Sequence, residues 1–134
     1  MATVALDTSV VVAALLSWHE QHPAALKALQ GALAKGNTVI IPVGTLVESY
    51  AVLTRLPPPH KLSPEDALAC LEGTFKGRAK VVGLDGPEAW SFLDGIVRRG
   101  IGGGRSFSAE IRACARKARA NRFLTFNRRE SDRA

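Results

Sequence analysis

Thr3-Val4-Ala5-Leu6 runs without a break into Asp7-Thr8-Ser9 and then Val10-Val11-Val12-Ala13-Ala14-Leu15-Leu16. The first four residues read as a short, fully buried β-strand. The next three are all helix N-cap types, so Val10 to Ser17 follows as a helix. A strand that turns directly into a helix is the first half of a β-α unit, and it sets the expectation for everything downstream.

The rest of the chain repeats the alternation. Pro23 opens a helix in which Ala25, Leu26, Leu29, Ala32 and Leu33 recur at helical spacing, and Gly36 closes it. Thr38 to Ile41 is a β-branched run, hence a second strand, ended by Pro42. Thr45 to Leu56 reads as a helix stopped by Pro57-Pro58-Pro59. Ser63-Pro64-Glu65-Asp66 is a helix start with acids near the positive end of the dipole, and that helix reaches about Gly73. Lys80 to Leu84 is a third strand. Gly86-Pro87-Glu88 opens a helix to about Arg99. Gly100 to Gly104 is a loop, Phe107 to Ala120 a helix, and Arg122 to Phe126 a fourth strand. Strands separated by helices predict a mainly parallel sheet of four to five strands with helices on both faces, in one domain over residues 1–134.

Composition agrees with a packed globular chain. Of 134 residues, 46% are hydrophobic and 22% charged, which argues against disorder. The early apolar run Val10 to Leu16 is far short of the ~20 residues a helix needs to cross a bilayer, so no membrane association is expected. The N-terminus has no basic lead, and Asp7 falls where the apolar core of a secretory signal would sit. Cys70 and Cys114 lack metal-type spacing and read as buried thiols of a reducing, cytoplasmic setting.

Charge is uneven. Net charge is +6, yet residues 98–134 alone carry ten arginines and Lys117 against Glu110, Glu130 and Asp132, a net +8. Residues 1–97 carry −2. A basic end on a near-neutral body suggests a polyanionic partner, because Arg suits bidentate phosphate contacts.

Ligands of open parallel sheets bind beyond the carboxyl ends of the strands. Asp7 follows strand one, Glu48 sits a turn into the helix after strand two, and Asn127 follows strand four. Ser108 lies in the first turn of the helix before strand four. Asp7 can be an N-cap alone or also a ligand. Glu48 lies close to an apolar stripe of Val47, Ala51, Leu53 and Thr54, where a carboxylate needs a partner: an ion pair with Arg55, or a metal. Two carboxylates on one edge can hold Mg²⁺ or Mn²⁺, and such an ion can orient phosphate and activate water for in-line hydrolysis. His19 and His22, with no completing zinc pattern, read as surface histidines.

Three blocks carry a resemblance to the PIN-domain toxins of the VapC type, which are type II toxin–antitoxin ribonucleases. They are Ala5-Leu6-Asp7-Thr8-Ser9, then Leu46-Val47-Glu48-Ser49-Tyr50-Ala51-Val52-Leu53-Thr54-Arg55-Leu56-Pro57. The third joins Gly103-Gly104-Arg105, the Ala109–Ala115 helix and Arg122-Phe123-Leu124-Thr125-Phe126-Asn127. The resemblance spans nearly the whole chain. It implies a PIN-like three-layer fold and a Mg²⁺- or Mn²⁺-dependent endoribonuclease. The partners it implies are RNA, a cognate antitoxin protein and a second copy in a homodimer. Asp7 matches the first acidic ligand, Glu48 the second, Ser9 the hydroxyl of the first block, and Asn127 the last, more variable position. Arg105, Arg128 and Arg129 lie at the same edge, where they can grip RNA phosphates.

Ser108 departs from the pattern, which has Asp there. A hydroxyl brings no charge to a hard cation, so weaker metal affinity and slow or absent cutting are expected. Glu110 is two residues on, roughly 200° around the helix, and is expected to point away. Arg112 shares the Ser108 face and makes the pocket less acidic. Glu110 and Glu130 are the candidates to support the site. The competing class is a non-catalytic PIN-fold domain that binds RNA or protein. A phosphatase is disfavoured because Ser9, not Asp, stands two residues after Asp7, and there is no Walker-type loop for a nucleotide-driven motor.

Overall fold

The computed structural model describes residues 1–127. Strand β1 (Thr3–Leu6) leads into helix α1 (Thr8–Leu15), and α2 (His22–Ala32) returns the chain to β2 (Thr38–Pro42). Helices α3 (Val43–Thr54) and α4 (Pro64–Phe75) precede β3 (Ala79–Val82). Helix α5 (Gly86–Arg98) and helix α6 (Arg105–Lys117) separate it from β4 (Arg122–Leu124). The sheet order is β3-β2-β1-β4, and all three pairings are parallel. Among the described residues the sheet has four strands.

Because neighbouring strand residues point to opposite faces, the apolar runs of β1 and β2 supply both layers. Val4, Leu6, Val39 and Ile41 face a large core built with α1, α2, α3 and α4. Ala5 and Ile40 face a smaller one with Ala115 of α6 and Phe123 of β4. Burial on both faces explains why these strands show no polar alternation. Removing Leu53, fully buried in the larger core, is the kind of truncation that costs about 2–5 kcal/mol.

The helix starts follow local chemistry. The Asp7 side chain caps α1 by accepting the Thr8 N–H. Ser63 caps α4 through the Asp66 N–H. Asp85 and Glu88 form a reciprocal capping box on α5, satisfying two otherwise orphaned donors. Between α5 and α6 the chain turns on Gly100 and Gly103, both at positive φ, a backbone region that suits residues without a Cβ.

The predicted elements are all present, with shifted ends. Pro42 is the last paired residue of β2 and the N-cap of α3, so that helix begins at Val43, ahead of Thr45. Helix α6 begins at Arg105 and stops at Lys117, and β4 ends at Leu124, leaving Thr125 and Phe126 outside the ladder. No described helix is long and apolar enough to cross a membrane.

Candidate active site

The carboxyl end of β1 is held by hydrogen bonds that converge on Asp7. Its backbone N–H donates to the Leu124 carbonyl at 3.0 Å, continuing the β1–β4 pairing by one residue. Its side chain is buried, with 5% of the residue exposed. Asp7 Oδ1 accepts the Thr8 N–H at 2.9 Å. Asp7 Oδ2 accepts the Thr125 hydroxyl at 2.6 Å and the Ser9 hydroxyl at 3.2 Å. Ser9 in turn accepts the Phe126 N–H at 3.1 Å, and Thr125 accepts the Asn127 N–H at 2.9 Å. Charge-assisted bonds of this kind are short and strong. The segment after β4 is thereby folded over the acid at the end of β1.

Asp7, Ser9 and Asn127 are thus joined in one network, with Asn127 exposed at its rim. Thr125 is the member that sequence reading missed. Its signal was a lone hydroxyl between Leu124 and Phe126, next to Asn127.

Helix α3 puts Glu48 in solvent. The inward face is Thr45, Ser49 and Leu53, four residues apart, and the Thr45 hydroxyl donates to the Leu6 carbonyl at 2.8 Å beside Asp7. The expected stripe through Val47 is therefore wrong: Val47 is 61% exposed. Glu48 consequently needs no buried partner, and it makes no ion pair with Arg55 among the described residues. Among those residues, Thr8 Oγ1 and Ser49 Oγ are buried without a hydrogen-bond partner. Each is the residue immediately after a candidate acid.

Helix α6 exposes Arg105 at its first position and leaves Ser108 half-buried one turn later. Glu110 is turned toward α3. Its Oε1 lies 2.9 Å from where a Gly44 Cβ would stand, and Ile111 Cγ1 is 3.0 Å from that point. Only a glycine lets the two helices approach this closely. Arg112 is buried, with its guanidinium 4.4 Å from the Phe123 ring centre, a cation–π contact. Among the described residues, no group of three His, Cys, Asp or Glu side chains is placed to hold a metal ion. Arg128, Arg129 and Glu130 lie outside the described residues.

The two histidines of the α1–α2 turn have structural partners: His22 Nδ1 is 2.9 Å from the Ala13 carbonyl, and His19 Nδ1 accepts the Gln21 N–H. An apolar groove of about 460 Å³ runs between α3, α4 and β3, lined by Leu46, Tyr50, Leu68, Leu71 and Phe75. Trp18 is not among its lining residues. Trp18 stacks on His60 with ring centres 4.3 Å apart.

The family described as PIN domain matches residues 4–134. Two curated relatives, each named Ribonuclease VapC40 and coming from Mycobacterium tuberculosis strains CDC 1551 and H37Rv, are 35% identical over 117 residues. That alignment spans 87% of this chain and 81% of each relative. The fold is similar to Mycobacterium tuberculosis VapC20, described as a sarcin-ricin loop cleaving toxin, with a TM-score of 0.72 and 19% identity over 92% of this chain and 89% of that one. It is also similar to VapBC2 from Rickettsia felis, solved bound to a DNA fragment from their promoter, with a TM-score of 0.68 and 19% identity. That match covers 98% of this chain and 92% of the Rickettsia chain.

Proposed function

Because the chain belongs to the PIN-domain family, we propose that it is a Mg²⁺- or Mn²⁺-dependent endoribonuclease, the toxin of a toxin–antitoxin pair. The observation that carries this reading is the buried, triply hydrogen-bonded Asp7 at the carboxyl end of the central strand.

The donor set fits a hard cation. Asp7, Glu48, Ser108 and Asn127 offer only oxygen atoms or an amide, and Mg²⁺ is commonly held by one or two carboxylates while it keeps waters and substrate phosphates. Three donors on Asp7 leave about one of its four lone-pair positions for a cation. When bound, such an ion supplies Lewis-acid polarisation of the scissile phosphate and eases deprotonation of water. Thr125 and Ser9 fix the carboxylate of Asp7 against rotation. Glu48, exposed on α3, would be the second carboxylate to hold the ion. Arg105, with Arg128 and Arg129, grips phosphates flanking the cut bond. Ser108 supplies a hydroxyl where a third carboxylate would add charge, so the site would hold the ion weakly. Glu110 is engaged against Gly44 and does not replace that charge.

The partners in this reading are RNA, a cognate antitoxin and a second copy in a homodimer, and the setting is the cytoplasm. One observation favours the alternative of a non-catalytic PIN-fold domain that binds RNA or protein. Ser108 stands at the third acidic position, and no three-acid cluster forms among the described residues.

The deciding experiment is RNA cleavage with Mn²⁺ or with EDTA by the chain, by Ser108→Asp and by Asp7→Asn. Cutting by the first two that stops with EDTA and with Asp7→Asn supports the nuclease. Cutting by Ser108→Asp alone makes the natural chain an impaired form of the same site. Cutting that survives Asp7→Asn overturns the site.

A further inference from the structure

A second basic feature lies away from the Asp7 network. An open groove of about 470 Å³ runs between helices α5 and α6. Its walls include Leu84, Pro87 and Phe92, and two exposed arginines, Arg99 and Arg116, line it together. The other cations nearby are already matched. Arg98 pairs with Asp94 at 2.7 Å, and Lys117 pairs with Glu88 at 2.6 Å. Glu88 also lines the groove, where its Oε1 accepts from Lys117 and from the Asp85 N–H, and the Lys117 ion pair offsets its charge. Among the described residues, neither Arg99 nor Arg116 has an ion-pair partner.

Two like charges across one cleft repel each other. Partial burial, and secondarily the charge of Arg99, holds the Arg116 guanidinium below its ordinary pKa. An anion placed between them removes that repulsion, and Arg presents a planar fork suited to phosphate oxygens. Arg116 also borders a smaller depression of about 190 Å³ beside Arg112 and Phe123, so it stands on a ridge between two hollows. Mainly apolar walls that include the Phe92 ring suit a sugar and base next to each phosphate better than they suit a carboxylate chain.

We propose that the α5–α6 cleft is a phosphate site for a single-stranded nucleic acid, gripped by Arg99 and Arg116, separate from the metal-binding edge. The proposal takes the strand to be the RNA of the function above, and so deepens that reading. Helix α6 carries Ser108 in its first turn and Arg116 in its last, eight residues apart. At 1.5 Å per residue that is about 12 Å along the axis, or about three to four nucleotide steps at ~3.4 Å stacked spacing. The cleft then holds the strand a few nucleotides from the cut.

The test is fluorescence anisotropy of a labelled 12-nucleotide RNA in EDTA, which prevents cutting. It compares the chain with Arg99→Gln/Arg116→Gln and with Arg99→Lys/Arg116→Lys. The Gln pair is expected to raise Kd roughly tenfold and to lower the salt slope by about 1.4, at ~0.7 per phosphate on single strands. The Lys pair keeps the charge and loses the fork, so it falls between. Removing two repelling charges leaves Tm unchanged or higher, which separates lost binding from lost folding. An unchanged Kd and slope for the Gln pair overturns the proposal. So does a Gln pair that loses poly-glutamate binding but keeps RNA, because the cleft then takes acidic peptides. If the chain never cuts RNA with Mn²⁺ yet the Gln pair still binds RNA more weakly, the nuclease reading fails and the phosphate site stands.

Discussion

Thr125 Oγ1 lies 2.6 Å from Asp7 Oδ2, a hydrogen bond that joins positions 118 apart in the chain. The same oxygen accepts the Asn127 N–H at 2.9 Å. One hydroxyl therefore sets both the rotation of the first acid and the position of the residue that closes the edge.

Thr125→Val keeps the β-branched shape and removes that hydroxyl. Asp7 loses its shortest donor, and the Asn127 N–H loses its acceptor. The expected loss is about 1–3 kcal/mol in chemical denaturation, together with weaker Mn²⁺ binding in calorimetry. Thr125→Ser restores most of both. A Val variant with native stability and native metal affinity would show that this bond orients nothing.

Gly44→Ala sets two effects against each other. At the second residue of α3, alanine gains only part of the ~1 kcal/mol that it gains over glycine in a helix interior. Its Cβ would stand 2.9 Å from Glu110 Oε1 and 3.0 Å from Ile111 Cγ1, and overpacking costs about 1–3 kcal/mol. The Glu110 head group can swing aside, but Ile111 is buried, so a net loss of about 1 kcal/mol is expected. Adding Ile111→Val should recover part of it in thermal melts, and a more stable Gly44→Ala would mean that the α3–α6 approach is looser than the distances indicate.

The Glu88–Lys117 bridge predicts a pH profile. The Asp85 N–H and then Lys117 hold the Glu88 carboxyl below its ordinary value. Its contribution is present above that ordinary value and is lost as pH falls through the lower folded one. The hydrogen bond to Glu88 raises Lys117, so its contribution persists through the ordinary Lys range and is lost as pH rises through the higher folded value. Stability from this pair is therefore flat near neutrality and declines on the acid side below about pH 4.5. Urea titrations of Glu88→Gln between pH 3 and 7 should show a shallower acid limb than the natural chain. Parallel limbs would remove the bridge from the acid response.

Thiol reactivity should follow burial. Burial, reinforced by the charge of Glu110, pushes the Cys114 thiol up to about 11, and burial also raises Cys70. Since the thiolate is the nucleophile, iodoacetamide at pH 8 should modify Cys70 slowly in the native chain and Cys114 only in denaturant. Mass spectrometry then reads one adduct folded and two unfolded. Two adducts on the folded chain would show that α6 opens readily.

Much of the fold was legible because local rules and tertiary needs agree. Strands β1 and β2 are apolar on both faces, and Asp7 and Ser63 stand at helix starts in sequence and cap them in space; the Asp85 cap emerges only in the structure. The site was legible in part. Asp7, Ser9 and Asn127 do join one network, whereas the surroundings of Glu48 were misread. The buried face of α3 is carried by Thr45 and Ser49, whose hydroxyls disguise it, and Val47 looks like core but faces solvent. Glu110 was expected to turn from the Ser108 face. That it ends against Gly44 depends on how α6 meets α3, which no spacing within one helix encodes.

The placement of β4 beside β1 also fixes an order in time. The acid of residue 7 leaves the ribosome first, and the hydroxyl that fixes it arrives 118 residues later. Every shorter length of chain can pair β1 with β2 but lacks β4, its second neighbour, and the closure over Asp7. Such long-range closure slows folding, and it means that a partly synthesised chain carries no finished site. Competence begins only when β4 pairs with β1 and Thr125 closes over Asp7.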